Sequence, residues 1–290
     1  MTASVIAHTV RTVSLWCRDW PVVAFDRPVG EAIAVLHANR VVAVSPSARV
    51  AGVAVGQRRR EAQRRCPDVT VLERDVDREA RVFERVMSEL DDVTPLIELV
   101  HPGLCALPVR GPARYFGGEA PMAATVRDAA AAAVPRGAEL GVGIADGLFP
   151  SMLAAQRGAT RAGSPPLIVA AGQSATFVAP MPIAVLDQPE LGVRRAELID
   201  VLVRLGIRRL ADFAALDAGD VLGRFGCDGL AAHRLASGVD SHLADLTAPP
   251  ADLERSIELD PPAERVDQAA FAGKRVADEL IEALAARGLS

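Results

Sequence analysis

The side chains best suited to chemistry in this 290-residue chain are arginines, and they are concentrated. Arg58, Arg59, Arg60, Arg64 and Arg65 form the densest basic cluster. Such a cluster can hold phosphate oxygens, and it equally suits the solvated face of a helix. Two further stretches carry glycine turns, Leu205-Gly206-Ile207 and Phe225-Gly226-Cys227-Asp228-Gly229. Backbone N–H groups at such turns can bind phosphate at helix starts, and a small helical domain with tight turns has the same pattern. Divalent-metal chemistry needs clustered hard oxygen ligands. The acids that could serve, Asp19, Glu98 and Asp146, are scattered along the chain. His8, His37, His101, His233 and His242 are also dispersed, and Cys17, Cys66, Cys105 and Cys227 lack Cys-x-x-Cys spacing. No phosphate loop, metal-spaced His/Cys set or nucleophile–base motif stands out.

The composition bounds what these residues can do. Half the residues are hydrophobic and only 4% aromatic, so the cores are expected to be built of Ala, Val and Leu. Lys274 is the only lysine, and the formal net charge is −5. An acidic chain has no strong overall grip on phosphates, so nucleic-acid contact has to be a local patch. Scattered cysteines suit a reduced, cytoplasmic protein without structural zinc, and no apolar run approaches a membrane span.

Several elements must position the candidate groups. Arg11 to Cys17 reads as a strand ended by Arg18-Asp19-Trp20-Pro21, with Asp19 a turn residue. Leu96–Val100 and Leu104–Val109 are two apolar runs around a His101-Pro102-Gly103 turn, a β-hairpin. A strand is expected at Val41–Val44, helices at Asp77–Leu90, Met122–Val134 and Phe149–Gln156, and a strand at Ala138–Ala145. Gly163-Ser164-Pro165-Pro166 marks a boundary and Ala248-Pro249-Pro250 a linker. Beyond these, a strand over Leu253–Leu259, a Pro261-Pro262 turn and an amphipathic helix over Val266–Ala286 follow.

The hairpin resembles the palm hairpin of Y-family (UmuC-like) translesion DNA polymerases: Thr94-Pro95, Ile97-Glu98, Leu107 and Gly111 match its frame. Ser45, Ala48-Arg49 and Gly52-Val53 resemble the fingers motif of the same family, and Gly56, Ala62, Cys66 and Pro67 continue it. The resemblance implies an α+β multidomain fold. Residues 11–20 and 77–162 would be the palm, a mixed sheet with helices on one face, and 21–76 the inserted fingers. Residues 163–243 would be a helical helix-hairpin-helix thumb, with its earlier hairpin near Gln188-Pro189-Glu190, and 250–290 part of a truncated little finger. The family's first strand carries two aspartates, where this chain has Leu15 and Cys17, and its hairpin carries Asp-Glu, where this chain has Gly103 and Leu104. A tyrosine that touches triphosphate is replaced by Pro46 and a lysine by Gly147, leaving Arg49 as a vestigial nucleotide contact.

Replacements at four places in one centre, Leu15/Cys17, Gly103/Leu104, Pro46 and Gly147, resemble the catalytically inactive, ImuB-type members of the family. The resemblance implies an accessory role in an inducible translesion-synthesis complex, with no cofactor and no metal. Implied partners are a sliding clamp, a RecA-like accessory protein and a separate error-prone replicative-type polymerase, with weak DNA contact through Arg58, Arg59, Arg60, Gly206, Gly226 and Gly229. An active polymerase using Asp19, Glu98 and Asp146 as displaced ligands is the second reading. A simple DNA-binding module is the third; seven arginines against eight acids between Glu190 and Asp240 count against it.

Overall fold

The computed structural model describes residues 10–28, 30–135, 138–161, 164–188, 193–240, 257, 259 and 266–285. In chain order the elements begin with β1 (Arg11–Cys17), α1 (Trp20–Val23), β2 (Ile33–His37), β3 (Arg40–Val44), α2 (Pro46–Val50), α3 (Arg59–Arg65) and β4 (Thr70–Glu73). Then come α4 (Val76–Asp91), β5 (Glu98–His101), β6 (Leu104–Pro108), α5 (Pro112–Tyr115), α6 (Glu119–Ala133), β7 (Glu139–Asp146) and α7 (Leu148–Gly158). After β8 (Thr160–Arg161) and β9 (Leu167–Ile168) come α8 (Ser174–Val178), a 3-10 turn at Ile183–Leu186, α9 (Ala196–Arg204), α10 (Leu210–Ala214), α11 (Ala218–Ala236) and α12 (Val266–Ala285). The chain forms two compact units, 1–244 and 245–290, and α12 belongs to the second.

The first unit is organised around β1. Its strands pair in the order β5-β6-β1-β7-β8, with β9 beside β7, so β1 is central and antiparallel to both β6 and β7. This is the placement expected for 11–17 beside the hairpin. Alternation along β1 explains why it is buried on both sides. Val13, Leu15 and Cys17 join Phe83, Val86 and Leu90 of α4 and Met122, Val126 and Ala130 of α6 in one core. The intervening Ser14 reaches the other face, where its hydroxyl hydrogen-bonds Ser151 of α7 at 2.7 Å. Helices therefore cover both faces of the sheet, not one. The reason is β7: Gly141 and Gly143 present bare backbone to α7, and a Cβ on Gly143 would lie 2.3 Å from Ala155 N and Ser151 O.

Residues 31–73 form a separate sheet in the order β3-β2-β4, packed on α2 and α3 through Ala34, Leu36, Val41, Val44, Ala48 and Ala62. Of these strands only β3 is expected from the sequence; β2 and β4 complete the sheet. Beyond β9, α7 meets the helical segment in a second core containing Phe149, Met152, Leu153, Leu186, Leu202, Leu210 and Phe213. Helix α12 confirms the amphipathic reading to within one residue, with Arg275 and Glu279 paired at 3.0 Å. Gly163, Pro189-Glu190, the Ala248–Pro250 linker, the Pro261-Pro262 turn and all of the 253–259 strand except Ile257 and Leu259 lie outside the described residues.

Candidate functional site

The hairpin turn delivers Gly103 to the end of β1, where its carbonyl accepts the Cys17 N–H at 2.8 Å. Gly103 is buried with φ +100°, and a Cβ there would sit 2.6 Å from Trp20 Cβ. Trp20 fills this place as a wedge. Its indole packs edge-on against Phe83 with centroids 5.0 Å apart, and Nε1 donates to the Glu79 carbonyl at 3.0 Å. Leu15 and Cys17 point into the α4/α6 core and Leu104 into the α7 core, all buried. The four positions of interest are thus packing positions, and none presents a polar atom to solvent. Gly147 behaves in the same way: φ is +102° and a Cβ would meet Asp240 Cβ at 2.7 Å, so no lysine-length side chain fits.

Asp19 follows β1 and caps α1 in the left-handed conformation, φ 49°, as expected for a turn residue. Its Oδ1 accepts the Val44 N–H at 3.1 Å and its Oδ2 accepts from Arg49 Nη2. Burial pushes the Asp19 carboxyl above its ordinary pKa, and the Val44 N–H and Arg49 offset this only in part. The pair occupies Arg49, the residue expected to face a triphosphate. Helix α2 aims Arg49 there because Ser45 caps it, accepting the Ala48 N–H at 3.2 Å, with Pro46 at the first turn.

The other displaced acids do not converge on Asp19. Asp146 is opposite Arg11, at the far end of β1, six residues or about 20 Å from Cys17. Its carboxylate accepts from Arg11 Nη1 at 3.1 Å and from the Gly172 N–H at 2.7 Å. Arg11 also holds Glu119 at 2.6 and 2.7 Å and donates to the Val169 carbonyl, an ion-pair centre that no local pattern announces. Glu98 is on β5 opposite Ala106, itself opposite Ser14, hence two strands from mid-β1. Among the described residues no three His, Cys, Asp or Glu side chains are grouped to hold a metal ion.

Cys17 and Cys105 supply no thiolate in place of the carboxylates. Complete burial pushes the Cys17 thiol up to about 12 and Cys105 also upward, so neither is a thiolate near neutrality. Each folded-state value lies above the unfolded one, so the proton stays on in the native protein at pH 8. A thiol-reactive disulfide reagent at that pH should titrate exposed Cys227 and half-buried Cys66 in native protein, with Cys17 and Cys105 reacting only in denaturant. Four rapidly titrating thiols would contradict the packing of β1.

The arginine cluster is real as a surface. Arg58, Arg59, Arg60, Arg64 and Arg65 are exposed on or beside α3, and none is in an ion pair among the described residues. The glycine turns divide. Gly206, φ +86°, joins α9 to α10, and Gly226, φ +68°, kinks α11 into two helices; both are exposed. Gly229 is buried with a would-be Cβ 2.2 Å from Phe225 Cβ, so its missing side chain serves packing at the kink.

Residues 21–156 match the model of the impB/mucB/samB family. The chain is 28% identical over 198 residues to DNA polymerase IV of Caulobacter vibrioides, covering 68% of this chain and 47% of that protein. It is 27% identical over 239 residues to DNA polymerase IV of Dehalococcoides mccartyi, covering 82% and 57%. The chain thus spans about half the length of the curated relatives it matches. Among solved structures, the insertion ternary complex of Dbh DNA polymerase aligns with TM-score 0.60 at 16% identity, over 78% of this chain and 67% of that one. DinB from Sulfolobus solfataricus aligns with TM-score 0.59 at 16% identity, over 78% and 66%. The fold is that of these polymerases.

Proposed function

We propose that this chain, a homologue of the Y-family DNA polymerases, is catalytically silent and serves as an accessory subunit in DNA damage tolerance. One observation carries the reading: Trp20 occupies the space in front of Gly103, where a Cβ would lie 2.6 Å from the Trp20 Cβ. Phosphoryl transfer in this fold class relies on divalent ions to position the triphosphate and offset its charge. Leu15, Cys17 and Trp20 in the core on one face of the sheet, and Leu104 in the core on the other, give such charge nothing in return. The Arg49–Asp19 pair supports the same conclusion, since an arginine neutralised internally has little left for a phosphate. In this role the chain would work beside a separate error-prone polymerase, a sliding clamp and a RecA-like protein.

The competing reading, an active polymerase, draws on the name of the relatives, DNA polymerase IV. Extension of a labelled primer on a template separates the two. Highly purified protein should add no nucleotide with Mg²⁺ or Mn²⁺, while an active relative run in parallel does. Template-dependent extension that survives purification and is lost in Asp19→Ala would sink the silent reading.

DNA contact in this role is weak and local. Binding of a primer-template should fall steeply between about 50 and 200 mM salt, as expected when a few phosphates are neutralised. Replacing Arg58, Arg59 and Arg60 together by Ala should flatten the salt slope by about three. Affinity unchanged in the triple variant would remove α3 from the interface.

A further inference from the structure

A second surface is built at the opposite end of β1 from Trp20. Val109 N–H donates to the Arg11 carbonyl, so the segment after β6 leaves the sheet beside the N-terminal end of β1. Here Arg110-Gly111-Pro112-Ala113-Arg114-Tyr115-Phe116 turns away from that end of the sheet. Tyr115 is the only tyrosine of the chain, and it is 84% exposed. It is not loose. The Phe116 N–H donates to Pro112 O at 2.9 Å and the Gly118 N–H to Ala113 O at 2.7 Å. Ala113 and Phe116 pack on the α4/α6 core, and the Phe116 ring buttresses Tyr115 edge-on with centroids 4.9 Å apart. A large ring is therefore held out into solvent by a braced turn, at low ordering cost on binding.

Charge identifies what the ring would meet. Arg110 and Arg114 flank it, both exposed, and neither is in an ion pair among the described residues. The carboxylate of Glu119, just beyond the loop, is committed to Arg11 at 2.6 and 2.7 Å. A fixed, exposed tyrosine between two free arginines has the composition of a protein-interface hot spot. A platform for single-stranded nucleic acid would need successive aromatic faces along a basic groove, and this loop exposes one ring, Tyr115.

We propose that the Arg110–Phe116 loop is a docking surface for a protein partner that presents an acidic segment bearing an apolar side chain. The ring would enter an apolar recess of that segment and the two guanidinium groups would pair with its carboxylates. The surface belongs to a different element from the Arg58–Arg60 cluster and does not depend on whether the chain is catalytically silent.

The test uses the whole chain and a random 16-residue peptide library displayed on phage. Selected peptides should be net negative with at least one aromatic or branched aliphatic residue, and synthetic copies should bind at least tenfold more weakly to R110E/R114E and to Y115A. Both variants change exposed positions only, and unchanged thermal melting verifies their fold. With 3-fluorotyrosine incorporated, the protein gives a single fluorine resonance, which the selected peptides should shift saturably. No enrichment, equal binding to the variants, or a fluorine resonance moved by oligo(dT) and not by the selected peptides would each overturn the proposal.

Discussion

Gly103→Asp should destabilise the protein by about 4 kcal/mol or more and restore no nucleotide incorporation. Three costs add in the same direction. A residue with a side chain held at φ +100° is strained by about 1–3 kcal/mol. The new Cβ, 2.6 Å from Trp20 Cβ, forces the turn or the indole aside, an overpacking cost of about 1–3 kcal/mol. A carboxylate entering a buried site without a cation adds desolvation of several kcal/mol unless it stays protonated. Against a total stability of about 5–15 kcal/mol, this is a large share. Denaturant unfolding of the variant checks the first half and primer extension the second. A variant as stable as the parent would show that Trp20 does not wedge the turn, and one that also extended primers would return the chain to the active polymerases.

Gly143→Val should be comparably damaging, for a reason unrelated to metals. The Cβ alone would lie 2.3 Å from Ala155 N and Ser151 O and 2.7 Å from Ala154 Cβ. Backbone atoms of a helix cannot yield as a side chain can, so α7 must lift from β7 as a body. That movement would also break the buried Ser14–Ser151 hydrogen bond and open the packing of Phe149, Met152 and Leu153. The expected loss is about 3 kcal/mol or more, which lowers the melting temperature by roughly 10 °C. Melting followed by circular dichroism reads it directly. An unshifted transition would mean that α7 does not seat on the bare strand.

Much of the fold was legible because it is written in short-range pattern. The run Arg11–Cys17, the two runs around His101-Pro102-Gly103, and the stripes of α4 and α6 declare themselves without tertiary information. The hairpin frame pointed to a polymerase palm, and the sheet indeed carries β1 between that hairpin and β7. What stayed hidden was where each face turns. Gly141 and Gly143, two residues apart on one side of β7, were the available signal for a helix lying close against the sheet. The site shows a second limit. Sequence reveals that Gly103 and Leu104 lack carboxylates, but not that Trp20, 83 positions before Gly103, fills the space. The pairing of Asp19 with Arg49 was equally illegible, since nothing local joins residues 30 apart.

The central position of β1 also bears on how the chain emerges from the ribosome. Its first hydrogen-bonding partner, β6, begins at Leu104, 87 residues after Cys17. At roughly 5–20 residues per second, the first strand is made several seconds before either neighbour exists. During that interval Val13, Leu15 and Cys17 have no sheet to enter, while β2, β3 and β4 are already complete and can close their own small core. Vectorial synthesis therefore completes the β3-β2-β4 sheet first, and β1 waits unpaired until β6 and then β7 have been made.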